Sequence, residues 1–230
     1  MRAHHHDLSG CQNEGKEEVT KNKRKGLLAS FLIILIVLVL DQILKIWVKT
    51  HMTLGQEIPV FGNWFKLLFI ENPGMAFGWM GGGGIMKTLL SLFRIVAVVF
   101  LVFVLFRLTK RGTKFGVLFG ISLIIAGAMG NILDSLFYGQ IFSESTYETV
   151  ATLFPDGGGY AGWLHGKVVD MLYFPLIDVA RESNSWLPDF FFGQDGHFIF
   201  FRPIFNFADA CITIGVFYMI LFQWKWLKQL

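Results

Sequence analysis

Four long apolar runs dominate the chain: about Leu27 to Val48, Thr88 to Leu108, Phe115 to Phe137 and Ile204 to Trp226. A bilayer core about 30 Å thick asks for roughly 20 mostly apolar helical residues, because each residue rises about 1.5 Å. Each run meets that test. The pattern predicts a membrane all-α four-helix bundle with a small extracytoplasmic β-sheet and a long extracytoplasmic loop. None of the runs reads as a cleavable signal peptide, since the first is too long and no small-residue cleavage site follows it.

Between the first two runs, Glu57 to Phe61 and Trp64 to Ile70 read as paired strands hinged at Gly62-Asn63, followed by the glycine stretch Gly81 to Gly84. The connection from Tyr138 to Pro203 mixes turn residues, such as Asp156 to Gly159, with the aromatics Trp186, Phe190, Phe191 and Phe192. Rings of that kind suit a membrane interface. Residues 1–25 include His4-His5-His6 and lack any periodic pattern. They are set aside as a disordered cytoplasmic tail or a tag remnant, and residues 26–230 are taken as a single four-span domain.

Composition agrees with a lipid environment: hydrophobic residues make up 53% of the chain and Phe alone occurs 25 times. The net charge of +3 is small and dispersed, which argues against a nucleic-acid partner. The position of the basic residues is more telling. Lys21, Lys23, Arg24 and Lys25 precede the first run, Arg107, Lys110, Arg111 and Lys114 fill the second connection, and Lys225 and Lys228 lie at the end of the last. In a four-span arrangement these clusters share one side, which the positive-inside rule assigns to the cytoplasm. Both termini are then inside, and residues 49–87 and 138–203 form the outer connections. Cys11 and Cys211 fall in a polar tail and an apolar run, so no disulfide is expected.

Ionisable residues inside a span cost roughly 2.5–3.5 kcal/mol each on insertion scales, so each needs a reason. Asp41, Gln42 and Lys45 sit in the outer half of the first run, with the acid and the amine four apart on one face. Gly127, Asn131 and Asp134 share a face near the end of the third, and Asn206 and Asp209 open the fourth. Three helices thus bring polar groups to one depth, the pattern of a functional site. Arg94 reads as a residue snorkelling to the interface. The small-residue spacings Gly116 to Gly120 and Ala126 to Gly130 read as close helix packing.

The spans hold no histidine and no serine–histidine pair, so metal and serine-type chemistry lack their parts and no cofactor is expected. Carboxylates remain. Two of them can hydrolyse a peptide: one, ionised, takes a proton from water while the other, protonated, donates to the scissile carbonyl. On residue chemistry alone Asp41, Asp134, Asp209 and the loop acid Asp170 are all candidates. An ion or proton path is the rival reading, but the inner halves of the runs are apolar.

Read together, Asp41-Gln42-Ile43-Leu44-Lys45, Asn72-Pro73-Gly74-Met75-Ala76-Phe77, Gly130-Asn131-Ile132-Leu133-Asp134, Val168-Val169-Asp170 and Phe205-Asn206-Phe207-Ala208-Asp209 resemble, in order, the motifs of lipoprotein signal peptidase, the bacterial type II signal peptidase. The resemblance implies an aspartic endopeptidase of the inner membrane, with its active site at the outer leaflet. Such an enzyme removes the signal peptide of a prolipoprotein just before a diacylglyceryl-bearing cysteine. It implies Asp170 and Asp209 as the catalytic pair, with Asp41, Lys45, Asn72, Gly74, Gly130, Asn131, Asp134 and Asn206 lining or bracing the pocket. The implied partners are lipidated prolipoproteins and membrane phospholipids, and a monomer suffices. Where the family pattern continues with arginine, Ser135 follows Asp134 here, and Arg202 is the candidate substitute. The stretches between Asp134 and Asp170 and between Asp170 and Asp209 are longer than the family's compact pattern.

Overall fold

The computed structural model describes residues 8–73, 83–180, 188, 191–193 and 196–228. Helix α1 (Leu8–His51) is continuous, so the tail expected to be unstructured is helical from Leu8 onward. The reason lies in its residues: from Gln12 to Lys25 the chain is rich in Glu and Lys and holds no proline, and a long apolar helix follows to propagate from. Helix α2 (Gly83–Lys110) is followed by a tight turn in which Gly112 takes the left-handed φ of +71°. Helix α3 (Phe115–Leu133) then runs through a π turn (Asp134–Tyr138) into the short helix α4 (Gly139–Ile141).

Among the described residues, three segments, Val19–His51, Lys87–Lys110 and Phe115–Ile141, are long and apolar enough to cross a membrane. The fourth run departs from expectation. Ile204–Phe205 form strand β6, buried Asn206 caps helix α5 (Phe207–Phe222), and the chain breaks at Gln223 before helix α6 (Trp224–Leu227). At 16 residues α5 spans about 24 Å, less than the full apolar run suggested.

Helix α3 is the hub, packing against α1, α2 and α5. The approach to α5 depends on missing side chains. A Cβ on Gly127 would overlap the Ala208 carbonyl oxygen and lie 2.7 Å from Ile212 Cγ1, and one on Gly215 would lie 2.9 Å from the Gly120 carbonyl oxygen. Small residues thus let the two backbones touch, as the spacings along α3 predict. Large apolar side chains such as Leu28, Phe93, Phe100, Phe217 and Leu221 are exposed on the outer faces, as befits helices surrounded by lipid.

The chain is not all-α. Strands β1 (Glu57–Phe61) and β2 (Phe65–Asn72) form the expected hairpin, turning at Gly62 with φ +51°. They belong to a four-stranded sheet ordered β1-β2-β3-β6, whose third strand is β3 (Val168–Tyr173). Strands β4 (Ile177–Ala180) and β5 (His197–Phe200) make a second, two-stranded sheet. Asp170 therefore lies on a central strand, opposite Ile70 of β2, and not on a loop. Strand β3 shows no alternation because five of its six residues are buried, which erases the period-two signal. Beneath the sheet, Met52, Phe69, Phe142, Val169 and Met171 pack as one apolar cluster, joining the end of α1 to β2 and β3.

The Gly127 contact gives a direct test. Gly127→Val in detergent should lower stability by about 1–3 kcal/mol, the usual cost of overpacking, read as a drop in the thermal unfolding midpoint. An unchanged midpoint would mean that α3 and α5 are not in backbone contact there.

Candidate active site

Two carboxylates arrive from different elements. Asp170 is carried by β3, and Asp209 sits in the first turn of α5. Between them stands Asn206, the N-cap of α5. Its Oδ1 accepts from the Asp209 backbone N–H at 2.9 Å, and Asp209 Oδ2 in turn accepts from the Asn206 backbone N–H at 3.5 Å. This reciprocal cap satisfies orphan donors at the helix head and fixes the direction of both side chains. The Asn206 amide then donates to Asp170 Oδ1 at 2.7 Å and to Asn131 Oδ1 at 3.1 Å. Asn131 donates to Asp209 Oδ1 at 2.7 Å, and Asn72 reaches Asp170 Oδ2 at 3.4 Å. One chain of amides, Asp170–Asn206–Asn131–Asp209, therefore connects the two acids.

Their environments differ. Asp170 is 6% exposed and Asp209 is half-buried. Burial, reinforced by the Asp209 carboxylate, pushes Asp170 up to about 7 against the donated hydrogen bonds of Asn206 and Asn72. A carboxyl poised there exchanges a proton at neutral pH.

Below this pair lies a buried ionic clamp. Lys45, 0% exposed, stands 3.0 Å from Asp41 Oδ2 and 2.8 Å from Asp134 Oδ2, and also donates to Asn131 Oδ1 at 2.9 Å. Gln42 donates to Asp41 at 3.1 Å and to Asp134 at 3.0 Å, and Tyr138 donates to Gln42 Oε1 at 3.1 Å. Each clamp acid also reaches one residue short of a member of the pair. Asp41 accepts from the Ala208 backbone N–H at 2.9 Å, and Asp134 accepts from that of Val169 at 3.3 Å. Gly130 is required by the same packing, since a Cβ there would come within 2.6 Å of Asp41 Oδ2. The π turn that begins at Asp134 widens α3 where its side chain joins the clamp, a common feature of functional helices.

Of the residues singled out from sequence, Asp41, Lys45, Asn72, Gly130, Asn131, Asp134, Asp170, Asn206 and Asp209 converge here. Gly74 lies outside the described residues, as do Met75 to Phe77, Gly81, Trp186 and Phe190. Arg202 is exposed and donates to the His197 carbonyl oxygen at 3.1 Å. Ser135 is buried and donates to the Asn131 carbonyl oxygen at 3.1 Å, so the serine closes on its own helix. Arg94 of α2, read from sequence as an interface residue, is half-buried and lies within the electrostatic field of Asp209, Asp170 and Asp134.

A second network went unread. Lys49, fully buried, ion-pairs with Glu71, hydrogen-bonds Ser145 at 2.8 Å and lies over the rings of Phe142 and Tyr160. Lys167 joins it at 3.1 Å from Glu71 Oε2. Burial alone would raise Glu71, but Lys49 and Lys167 hold it below the ordinary carboxylate range. Glu71 precedes Asn72, and Lys167 precedes β3, so this network braces the strand side of the site. The spacing of Lys49 four residues after Lys45, on the same face of α1, was the available signal. Among the described residues no group of three or more His, Cys, Asp or Glu could hold a metal ion.

Comparison with known proteins gives the same assignment from independent directions. The family model described as signal peptidase (SPase) II matches residues 33–225. A lipoprotein signal peptidase of Porphyromonas gingivalis is 52% identical over 198 residues, covering 86% of this chain and 83% of its own. One from Amoebophilus asiaticus is 38% identical over 192 residues, covering 82% of this chain and 75% of its own. Among solved structures, a bacterial membrane enzyme determined by the in meso method at 1.9 Å is similar, with a TM-score of 0.53 and 25% identity over 84% of this chain and 90% of that one. A second, at 2.3 Å, shares the fold with a TM-score of 0.51, covering 86% and 88%. Taken with the apolar helices, these matches show that the chain is an integral membrane protein belonging to the signal peptidase II family.

Proposed function

We propose that this protein is an aspartic endopeptidase that removes signal peptides from diacylglyceryl-modified prolipoproteins, cutting just before the lipid-bearing cysteine. The observation that carries the reading is the amide chain linking Asp170 to Asp209, which presents two carboxylates from a strand and a helix head around one point. Asp170, raised to about 7, holds the proton at neutral pH and donates it to the scissile carbonyl oxygen. Asp209 takes a proton from water, whose oxygen attacks the carbonyl carbon. Asp209 then passes that proton to the leaving amide nitrogen as the carbon–nitrogen bond breaks, and the second hydroxyl proton returns to Asp170. Arg94 offsets the negative charge of the cluster without neutralising the pair directly.

The depth of the site fits such a substrate. A lipidated signal peptide is itself a membrane helix, and its acyl-bearing end lies at the bilayer surface, where the acids, asparagines and sheet of this protein meet. In the orientation set by the basic clusters, both termini face the cytoplasm of the inner membrane and the acids face outward. Backbone groups of an unwound scissile segment need polar partners that lipid does not provide, and Asn72 and Asn131 supply them. The four helices then form one bundle, α5 continuing through α6 to complete the fourth crossing, and a monomer contains the whole site.

Three measurements follow. Purified Asp170→Asn and Asp209→Asn should each cleave a diacylglyceryl-modified prolipoprotein at least 10²–10⁴-fold more slowly, roughly the share of general acid–base catalysis, with folding retained. Substantial activity in either would overturn the pair. The pH profile supplies a second check. Because burial raises Asp170, its proton is present below about 7 and lost above it, so kcat/KM should fall on the alkaline side with an inflection near 7 that belongs to the pair. A profile flat to well above 8 would contradict proton donation by Asp170. Finally, Lys45→Met should destabilise the fold by about 3–5 kcal/mol, because it strands Asp41 and Asp134 as uncompensated buried charges. Adding Asp41→Asn and Asp134→Asn should recover much of that loss in thermal unfolding, whereas no recovery would show that Lys45 acts through packing.

A further inference from the structure

A groove lies at the other end of the helices from the acids. It encloses about 640 Å³ between the start of α1, the end of α2 and the turn into α3. Three cations line it, Lys23 and Lys25 from α1 and Arg111 from the turn, together with the side-chain donors Asn22 and Thr113. Its floor is apolar and close-packed at Gly26, where a Cβ would come within 3.1 Å of Leu118 Cδ1. No carboxylate lines the groove, and among the described residues none pairs with these three cations. Lys23 to Lys45 is 22 residues along α1, about 33 Å at 1.5 Å per residue, which is close to the thickness of a bilayer core.

We propose that this groove binds the phosphodiester headgroup of an anionic phospholipid in the leaflet opposite the catalytic pair. A basic collar alone is enough to orient membrane helices, but it does not require a cavity, and the neighbouring cations behave differently. Arg107 lies over the Phe103 ring at 4.9 Å and Lys110 over Phe106 at 4.3 Å, so both rest along aromatic side chains of their own helix. Lys23, Lys25 and Arg111 instead surround empty volume. Three cations and two neutral donors suit a single phosphate with glycerol hydroxyls beside it, since a guanidinium offers paired donors and the ammonium groups add charge. A lipid is favoured over a soluble anion because the groove is continuous with apolar surface: Phe115 forms part of its lining, and Leu28, which precedes the lining residue Ala29 on α1, is exposed. An acyl chain laid along that surface stays in hydrocarbon while its phosphate reaches the cations. A bound headgroup there would join α1 to the α2–α3 turn, the end of the helices that the Lys45 clamp does not reach.

The test uses the full chain in neutral detergent, titrated with phosphatidylglycerol or phosphatidylcholine and read by native mass spectrometry. The wild type should retain one phosphatidylglycerol in preference to phosphatidylcholine. Combined Lys23→Gln, Lys25→Gln and Arg111→Gln should weaken that binding roughly a hundredfold, at about fivefold for each cation. A control with the same loss of charge, Lys21→Gln, Arg24→Gln and Lys110→Gln, should bind as the wild type does, and thermal unfolding should show both variants folded. Equal weakening in the two variants would reduce the effect to a general basic collar and overturn the site, as would equal retention. Displacement of the bound lipid by millimolar inorganic phosphate would overturn the lipid assignment in favour of a small-anion site. None of these readouts depends on peptide cleavage, so failure here leaves the proposed chemistry standing.

Discussion

The ammonium of Lys45 is the interaction on which the rest of the site depends. Fully buried, it joins Asp41 of its own helix to Asp134 of α3 and steadies the Asn131 amide between them. A buried amine among apolar helices is unfavourable unless its partners are close and themselves hydrogen-bonded, and both conditions hold here. The consequence extends beyond stability. Asp41 holds the backbone N–H of Ala208 and Asp134 that of Val169, so each clamp acid grips the residue immediately before a member of the proposed pair. One charge thus steadies the separation of a helix head and a strand that the β3–β6 pairing and the Asn206 amide also hold together.

That dependence explains what was legible in the sequence. The first three spans, the hairpin turning at Gly62 and the gathering of Asp41, Lys45, Asn131, Asp134, Asn206 and Asp209 at one depth all follow from hydropathy and helical spacing. The catalytic role proposed for Asp170 did not, and rests on family resemblance. Its strand is buried on both faces, so it lacks alternation, and it pairs with a strand nearly a hundred residues earlier. Long-range strand pairing leaves no periodic trace. The fourth helix was drawn too long for a related reason: Ile204 and Phe205 are as apolar as a helix requires, yet they serve the sheet, and only the cap at Asn206 marks the boundary. Residues 8–25 depart the other way: they lack a periodic pattern, yet they are helical and continue into the apolar helix that follows.

The second network, around Lys49, shows how the connection beyond α3 is anchored. Ser145, Tyr160 and Lys167 come from the stretch between Asp134 and Asp170, and they converge on Lys49 and Glu71. Lys49 is one helical turn beyond Lys45. The two lysines therefore form a ladder along α1, the first holding the helices and the second holding the polypeptide that leads into β3. The connection is bound to the same helix that positions the acids, so its length does not loosen Asp170.

The division of labour between the acids follows from their donors. Asp41 and Asp134 each receive a full positive charge from Lys45 together with a backbone N–H and the Gln42 amide. Asp170 receives only neutral amides, from Asn206 and Asn72, and faces the carboxylate of Asp209. A cluster of four carboxylates around one enclosed ammonium carries more negative charge than its donors offset, and a proton relieves the excess most where no cation is in contact. Neither Asp170 nor Asp209 touches a cation, and Asp170 is the more deeply buried of the two, so the proton settles there. Dipoles favour a carboxylate without neutralising it, so the amide chain can hold the geometry of the pair while leaving its proton free to move, whereas a lysine in the place of Asn206 would lock both acids ionised. The clamp needs an ion pair to hold its shape; the proposed catalytic pair needs its absence.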